Sequence, residues 1–261
     1  MGAALGSDQA LDARSQGPKG RADRRYWPRT SDPLASKVSA EVDSRARTPI
    51  SEPLWAKAPA RNRVTPTGDI EAIQLRGAWT GNRGILHFGH EIVRFHASDL
   101  WITCALEFQG RRHEQWQPHH YTFLYFHDEA VSFAAGHRPC AECRRDSYNA
   151  YRAAWAEGLG VDVPSAKVMN RQLHGERIVR GTHRRRLHRL PWADLPDGAF
   201  VLLDTSPTIV IGDQLTEWTR DGYRGRGARP IQGTVDVITP PSTLAALRAG
   251  YRVQIDASAR G

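Results

Sequence analysis

The chain holds three cysteines in 261 residues, at positions 104, 140 and 143. An odd number of thiols closes no disulfide framework. In a reducing compartment their expected use is metal binding or catalysis. Two of them sit in Pro139-Cys140-Ala141-Glu142-Cys143. Thiols two residues apart in a tight turn can face a single cation, and deprotonated sulfur suits the borderline-soft Zn2+ ion. A closed zinc site wants four such ligands in a tetrahedron. Arg138, Arg144 and Arg145 flank the pair, and their charge favours thiolates. Two alternatives stay open, a pair of ordinary thiols and a redox pair. A thioredoxin-like pair, however, follows a strand and opens a helix. Here the pattern places a short helix and a glycine turn before it.

The surrounding elements follow from hydropathy and turn formers. Ile85-Leu86 and Ile92-Val93 are short strand candidates around the turn His87-Phe88-Gly89-His90. Residues 100–108 (LWITCALEF) form an apolar strand that carries Cys104, and 121–126 (YTFLYF) an aromatic one. Asp128 caps a short helix through DEAVSFAA, and Gly136 is placed to end it in the left-handed conformation. A longer helix opens at Arg144 or Asp146 and runs to about Glu157, with Tyr148, Tyr151, Ala154 and Trp155 at helical spacing. A third starts after Pro164 and reaches about Ile178. The remainder reads as β at 200–203, 208–211 and 234–238, then a last helix, STLAALRA, closed by Gly250.

The run 121–146, YTFLYFHDEAVSFAAGHRPCAECRRD, resembles the second half of the N-terminal zinc domain of the Ada DNA-repair methyltransferases. The matching residues are Ala134, Ala135, Gly136, Arg138, Pro139, Cys140 and Cys143. The family has a further cysteine pair, four residues apart, on the preceding strand and turn. Cys104 is similar to its first member by its apolar strand context. The second would fall near Phe108, where there is no cysteine. The resemblance implies Zn2+ held by Cys104, Cys140 and Cys143. It also implies that Cys104 is the nucleophile that accepts a methyl group from methylated DNA phosphate. Zinc lowers a thiol pKa while leaving the sulfur nucleophilic. A cluster of four thiolates would be doubly negative. Three thiolates with an imidazole are singly negative, and each sulfur is then less nucleophilic. Loss of the fourth cysteine therefore bears on methyl transfer more than on metal binding.

Imidazole is the other common zinc ligand, so the expected fourth ligand is a histidine. His113 sits in the connector that replaces the missing cysteine, with His119, His120 and His137 as rivals. A second zinc reading uses His127-Asp128-Glu129 and the later P-C-x-x-C as a nucleobase deaminase signature. Its spacing argues against it. Residues 130–138 alone separate the two motifs, and a two-turn helix uses about seven residues, leaving none for the intervening strand.

A formal charge of +8 and a pI of about 9.8 favour a polyanionic partner. The expected partner is nucleic acid, DNA rather than RNA. The basic run Arg180, Arg184, Arg185, Arg186 and Arg189, with Arg138, Arg144 and Arg145, supplies the candidate phosphate contacts. A solvated charged loop is the plainer reading of that run. His174 and Glu176 on one helical turn can form an acid–base pair or a simple surface pattern. Gly81-Asn82-Arg83-Gly84 is a turn and a candidate anion-binding loop. Zinc that only staples an interaction domain is the competing function. No apolar run is long enough for a membrane helix, and the start of the chain lacks a signal-peptide core, which leads to an expected cytoplasmic location. The expected fold is α+β. It has a disordered basic arm over 1–60, a zinc-stapled strand and helix core over 64–160, a helix and basic segment over 161–190, and a β-rich part over 191–261.

Overall fold

A computed structural model describes residues 59–110 and 114–261. The expected arm, but for its last two residues, and His113 lie outside the described residues. The elements run β1 (Arg63–Val64), β2 (Ile70–Glu71), β3 (Trp79–Asn82), β4 (His87–Phe88), β5 (Glu91–Ile92), β6 (Ile102–Cys104), β7 (Leu124–Phe126), α1 (Glu129–Ala134), β8 (Arg138–Pro139), α2 (Arg145–Leu159) and α3 (Ala166–Arg177). There follow β9 (His188–Pro191), β10 (Phe200–Leu203), β11 (Ser206–Ile211), β12 (Gln214–Thr219), β13 (Gly222–Ala228), β14 (Thr234–Val237) and α4 (Pro241–Arg248). The fold is α+β, as its sequence pattern predicts. Among the described residues no helix is long and apolar enough to cross a membrane.

The first sheet has the order β2-β1-β7-β3-β6-β8. Its β1/β7 and β6/β8 pairs are parallel and the rest antiparallel. Gly81 of β3 passes so close to the carbonyl of Ile102 and the ring of Phe126 that no Cβ would fit. This absence of a side chain is what lets β6 lie tightly against β3. The second sheet, β13-β12-β11-β10-β14-β9, is wholly antiparallel. Three of its strands, β9, β12 and β13, lie outside the segments expected as strands. Gly222–Ala228 (GYRGRGA) has almost no β-forming side chains, and its pairing with β12 determines its conformation. His188–Pro191 falls at the end of the basic run and pairs with β14.

Helix α1 joins the layers. All six of its residues are buried, and Ala130, Val131 and Ala134 pack with Ile73, Phe200, Ile209 and Trp218. One core cluster thus combines residues from both sides of positions 160 and 190. Asp128 caps the helix through the Val131 N–H at 2.8 Å, and Gly136 ends it at φ +87°, as the sequence requires. The aromatic stripe of α2 is its buried face, packed with Phe133, Met169 and Leu173. The apolar strand expected over 100–108 contracts to Ile102–Cys104, because beyond Cys104 the chain leaves its partner β3.

Candidate metal centre

The three sulfurs meet because of strand register. In the parallel pair β6/β8, Ile102 lies beside Arg138 and Thr103 beside Pro139. The next residues on each strand, Cys104 and Cys140, therefore come abreast. The Cys140 N–H donates to the Thr103 carbonyl at 2.9 Å. The chain then turns back, with the Arg144 N–H on the Cys140 carbonyl at 3.2 Å, and this returns Cys143 to the same point. All three Sγ atoms lie within 4.8 Å of one another, and all three thiols are free. Ligands at 2.3 Å in a tetrahedron stand about 3.8 Å apart, so this trio needs only a small contraction to hold a metal ion.

Backbone donors prepare the sulfurs for negative charge. The Glu142 N–H points at Cys140 Sγ at 3.4 Å, joined by the Cys143 N–H, and the Ala105 N–H points at Cys143 Sγ. The thiols share protons unequally. Cys140 is pushed down to about 2 by hydrogen bonds from Cys104 and then from Cys143. Cys104 is raised far above its ordinary range by the same bonds to Cys140 and Cys143, with burial adding to them. Cys143 is drawn down by Cys104 but ends raised, through its bond to Cys140 and through burial. Of the three sulfurs, Cys140 is the one that hydrogen bonding favours as thiolate. A divalent cation bound there would displace the thiol protons and be held by Cys104, Cys140 and Cys143 as thiolates.

The trio borders a cavity of about 260 Å³ walled by Ile102, Phe108, Tyr121 and Phe123. Phe108 occupies the place of the expected second cysteine, and its side chain borders this same cavity. Among the described residues only the three cysteines form such a cluster. His119 and His120 are exposed. His137 is fully buried on the other side of the sheet, against Trp101 at 5.2 Å and Phe126 at 4.6 Å, where it accepts from Arg83 Nε at 3.2 Å. It is no ligand in this structure. Residues of the deaminase-like motif are engaged elsewhere. Glu129 accepts from Arg144 at 2.5 Å, from the Tyr251 hydroxyl at 2.9 Å and from the Gln254 N–H at 3.0 Å. His127 packs on Tyr223.

The arginines expected at a phosphate surface divide in two. Arg145, Arg184 and Arg186 are exposed. Arg138 turns inward to Asn170 Oδ1 at 2.8 Å, and Arg144 pairs with Glu129 and covers the Trp79 ring at 3.9 Å. Arg185 carries its guanidinium to the carbonyls of Ala134 and Ile238, and burial lowers its pKa to about 9. Arg138 and Arg144, which flank the cysteine turn, thus pack against α3 and α1. His174 and Glu176 do not form an acid–base pair. His174 Nδ1 meets Arg177 at 3.0 Å, whereas Glu176 accepts from Ser242 at 2.6 Å.

Sequence reasoning missed Arg83 and Arg177, both 0% exposed. They sandwich Trp101 at 4.0 and 3.8 Å. Gly136 makes room, since a Cβ there would stand 2.6 Å from Arg177 Cδ. Only the glycines around Arg83 and after α1 hinted at a close approach.

The site is therefore a cluster of three thiols, close enough together to hold a metal ion, at a strand-to-turn junction of an α+β protein. No family model, curated protein or solved structure matches the chain.

Proposed function

We propose that the centre binds Zn2+ through Cys104, Cys140 and Cys143 in a nucleic-acid-associated protein, and that Cys104 is a methyl acceptor. The observation that carries this reading is the convergence of three free thiols beside a cavity. Soft thiolates with backbone N–H donors suit zinc, and a purely structural site is normally closed by a fourth ligand. His113 is the proposed fourth ligand, from the segment between Gly110 and Glu114. When bound, the metal keeps the sulfurs deprotonated at neutral pH.

The backbone donors on Cys140 and Cys143 spread the charge of those sulfurs, whereas the strongest partners of Cys104 are the other two thiols. Once these are thiolates, Cys104 is the sulfur with the most available lone pair. Its attack on the methyl carbon of a methylated phosphodiester forms the S–C bond. The C–O bond breaks with its electrons on oxygen, the phosphodiester anion departs, and no proton moves. The cavity beside the sulfur offers apolar wall from Ile102, Phe108 and Phe123 to the methyl group. The exposed Arg145, Arg184 and Arg186 and the overall charge of +8 support a polyanionic partner.

The test is intact mass after incubation of the zinc-loaded protein with duplex DNA bearing methylated phosphates. The expected result is a gain of one methyl, absent in Cys104→Ser. An unchanged mass with stoichiometric zinc would leave the staple reading, a metal that only holds β6, β8 and the turn together.

A further inference from the structure

On the other side of β6 the packing of Trp101 opens a second cavity, of about 750 Å³. Phe95, His96 and His174 pack on Trp101 with centroids at 5.7, 5.8 and 6.4 Å, and all three line that cavity. His183, 6.1 Å from Phe95, adds a fourth ring. Arg171, Arg180 and Arg186 also line the cavity, and no aspartate or glutamate does.

The layer behind the rings is also cationic. After the larger effect of burial, Arg185 lowers the proton affinity of Arg83, and Arg83 and Arg185 lower that of Arg177. Asp69 and Asp99 act on them only through their field, and among the described residues no carboxylate hydrogen-bonds to any of the three. Arg83 Nη2, Arg177 Nε and Arg185 Nε have no hydrogen-bond partner. An excess of buried positive charge is unfavourable until an anion approaches it.

We propose that this cavity binds a nucleotide unit, its base stacked on Phe95 and the histidine rings and its phosphate held by Arg171, Arg180 and Arg186. Planar guanidinium forks match phosphate oxygens, and aromatic faces accept any base. The volume lies within the ordinary range for small-ligand sites and exceeds the needs of inorganic phosphate. Burial, and then the field of Arg177, holds His96 and His174 below their ordinary pKa. A neutral imidazole offers one donor and one acceptor to a base edge. The inference rests on neither the metal nor Cys104.

The test is calorimetric titration of the full-length, metal-loaded protein at low salt with adenosine 5′-monophosphate, inorganic phosphate and adenosine. The nucleotide binds more tightly than either part. The exposed-site double variant Arg180→Gln/Arg186→Gln weakens it by about tenfold or more, through loss of two charge-assisted contacts. Nucleotide binding no tighter than phosphate, or unchanged in the double variant, overturns the proposal. A 5′-phosphorylated single strand serves as a further arm. Tighter binding than the mononucleotide assigns the site to a nucleic-acid strand, and equal or weaker binding assigns it to the free nucleotide. Zinc content and far-UV circular dichroism of the double variant, measured alongside, separate this result from the fate of the metal reading and from misfolding.

Discussion

The two sides of β6 solve opposite electrostatic problems with opposite means. On one side Cys104 meets Cys140 and Cys143 through backbone register, in a centre whose thiolates call for a cation. On the other, Trp101 gathers Arg83 and Arg177 through side chains drawn from distant segments, in a cluster whose excess charge calls for an anion. Alternation along a strand keeps the two apart while they share a backbone. The difference teaches that the thiol cluster depends on backbone register and the arginine cluster on side-chain packing. The two respond differently to substitution.

The largest expected effect is on metal content. Cys140→Ser takes the protein from one bound metal per chain to none, measured by elemental analysis, while the arginine side keeps its fold. Retention of stoichiometric metal would break the ligand assignment. Next is Trp101→Ala, which removes a 1%-exposed ring between two guanidinium groups and costs about 3–5 kcal/mol in denaturant unfolding. Because Trp101 directly precedes β6, which carries Cys104, weaker metal affinity in that variant would show that the sides are coupled, and unchanged affinity that they are independent.

The third is a pH dependence. His137 is held well below its ordinary pKa, first by burial and then by Arg83. The unfolded chain takes up a proton near pH 6.5 that the folded one refuses. Stability is therefore full above that pH and falls below it, by up to about 1.4 kcal/mol per pH unit. His137→Gln, which can still accept from Arg83, flattens that slope in unfolding measured between pH 6.5 and 5. A slope that persists would place the titration elsewhere. The smallest expected effect is Arg145→Gln, an exposed change within about 0.5 kcal/mol of wild-type stability. It lowers the salt dependence of duplex binding and leaves metal content alone.

Legibility in the sequence follows the same division. The Cys140–Cys143 turn, the Asp128 cap and the Gly136 stop are local devices, and each is written in a few adjacent residues. Cys104 was placed by its apolar strand and by the resemblance, but the pairing of β6 with β8 is carried by two residues, Arg138 and Pro139, that show no strand pattern. Arginine reads as surface in any single sequence, because a buried guanidinium needs partners that only the fold supplies. Hence Arg83 reads as part of a turn or anion-binding loop, and Arg138 and Arg144 as phosphate contacts. Nothing near them in sequence announces Trp101, Asn170 or Glu129 as their neighbours. The strand at Gly222–Ala228 was hidden for the same reason, since its conformation comes from the partner strand rather than its own residues.

The cap of α1 has a consequence for the order in which the molecule assembles. Helix α1 leads straight into the β8 turn, yet its first residues are fastened by the N–H groups of Gln254 and Asp256, across sequence separations of 125 and 128 residues. All three thiols leave the ribosome long before those fasteners exist. Contacts of such span form slowly. The helix that leads into the cysteine turn is thus anchored only once the far end of the polypeptide has docked.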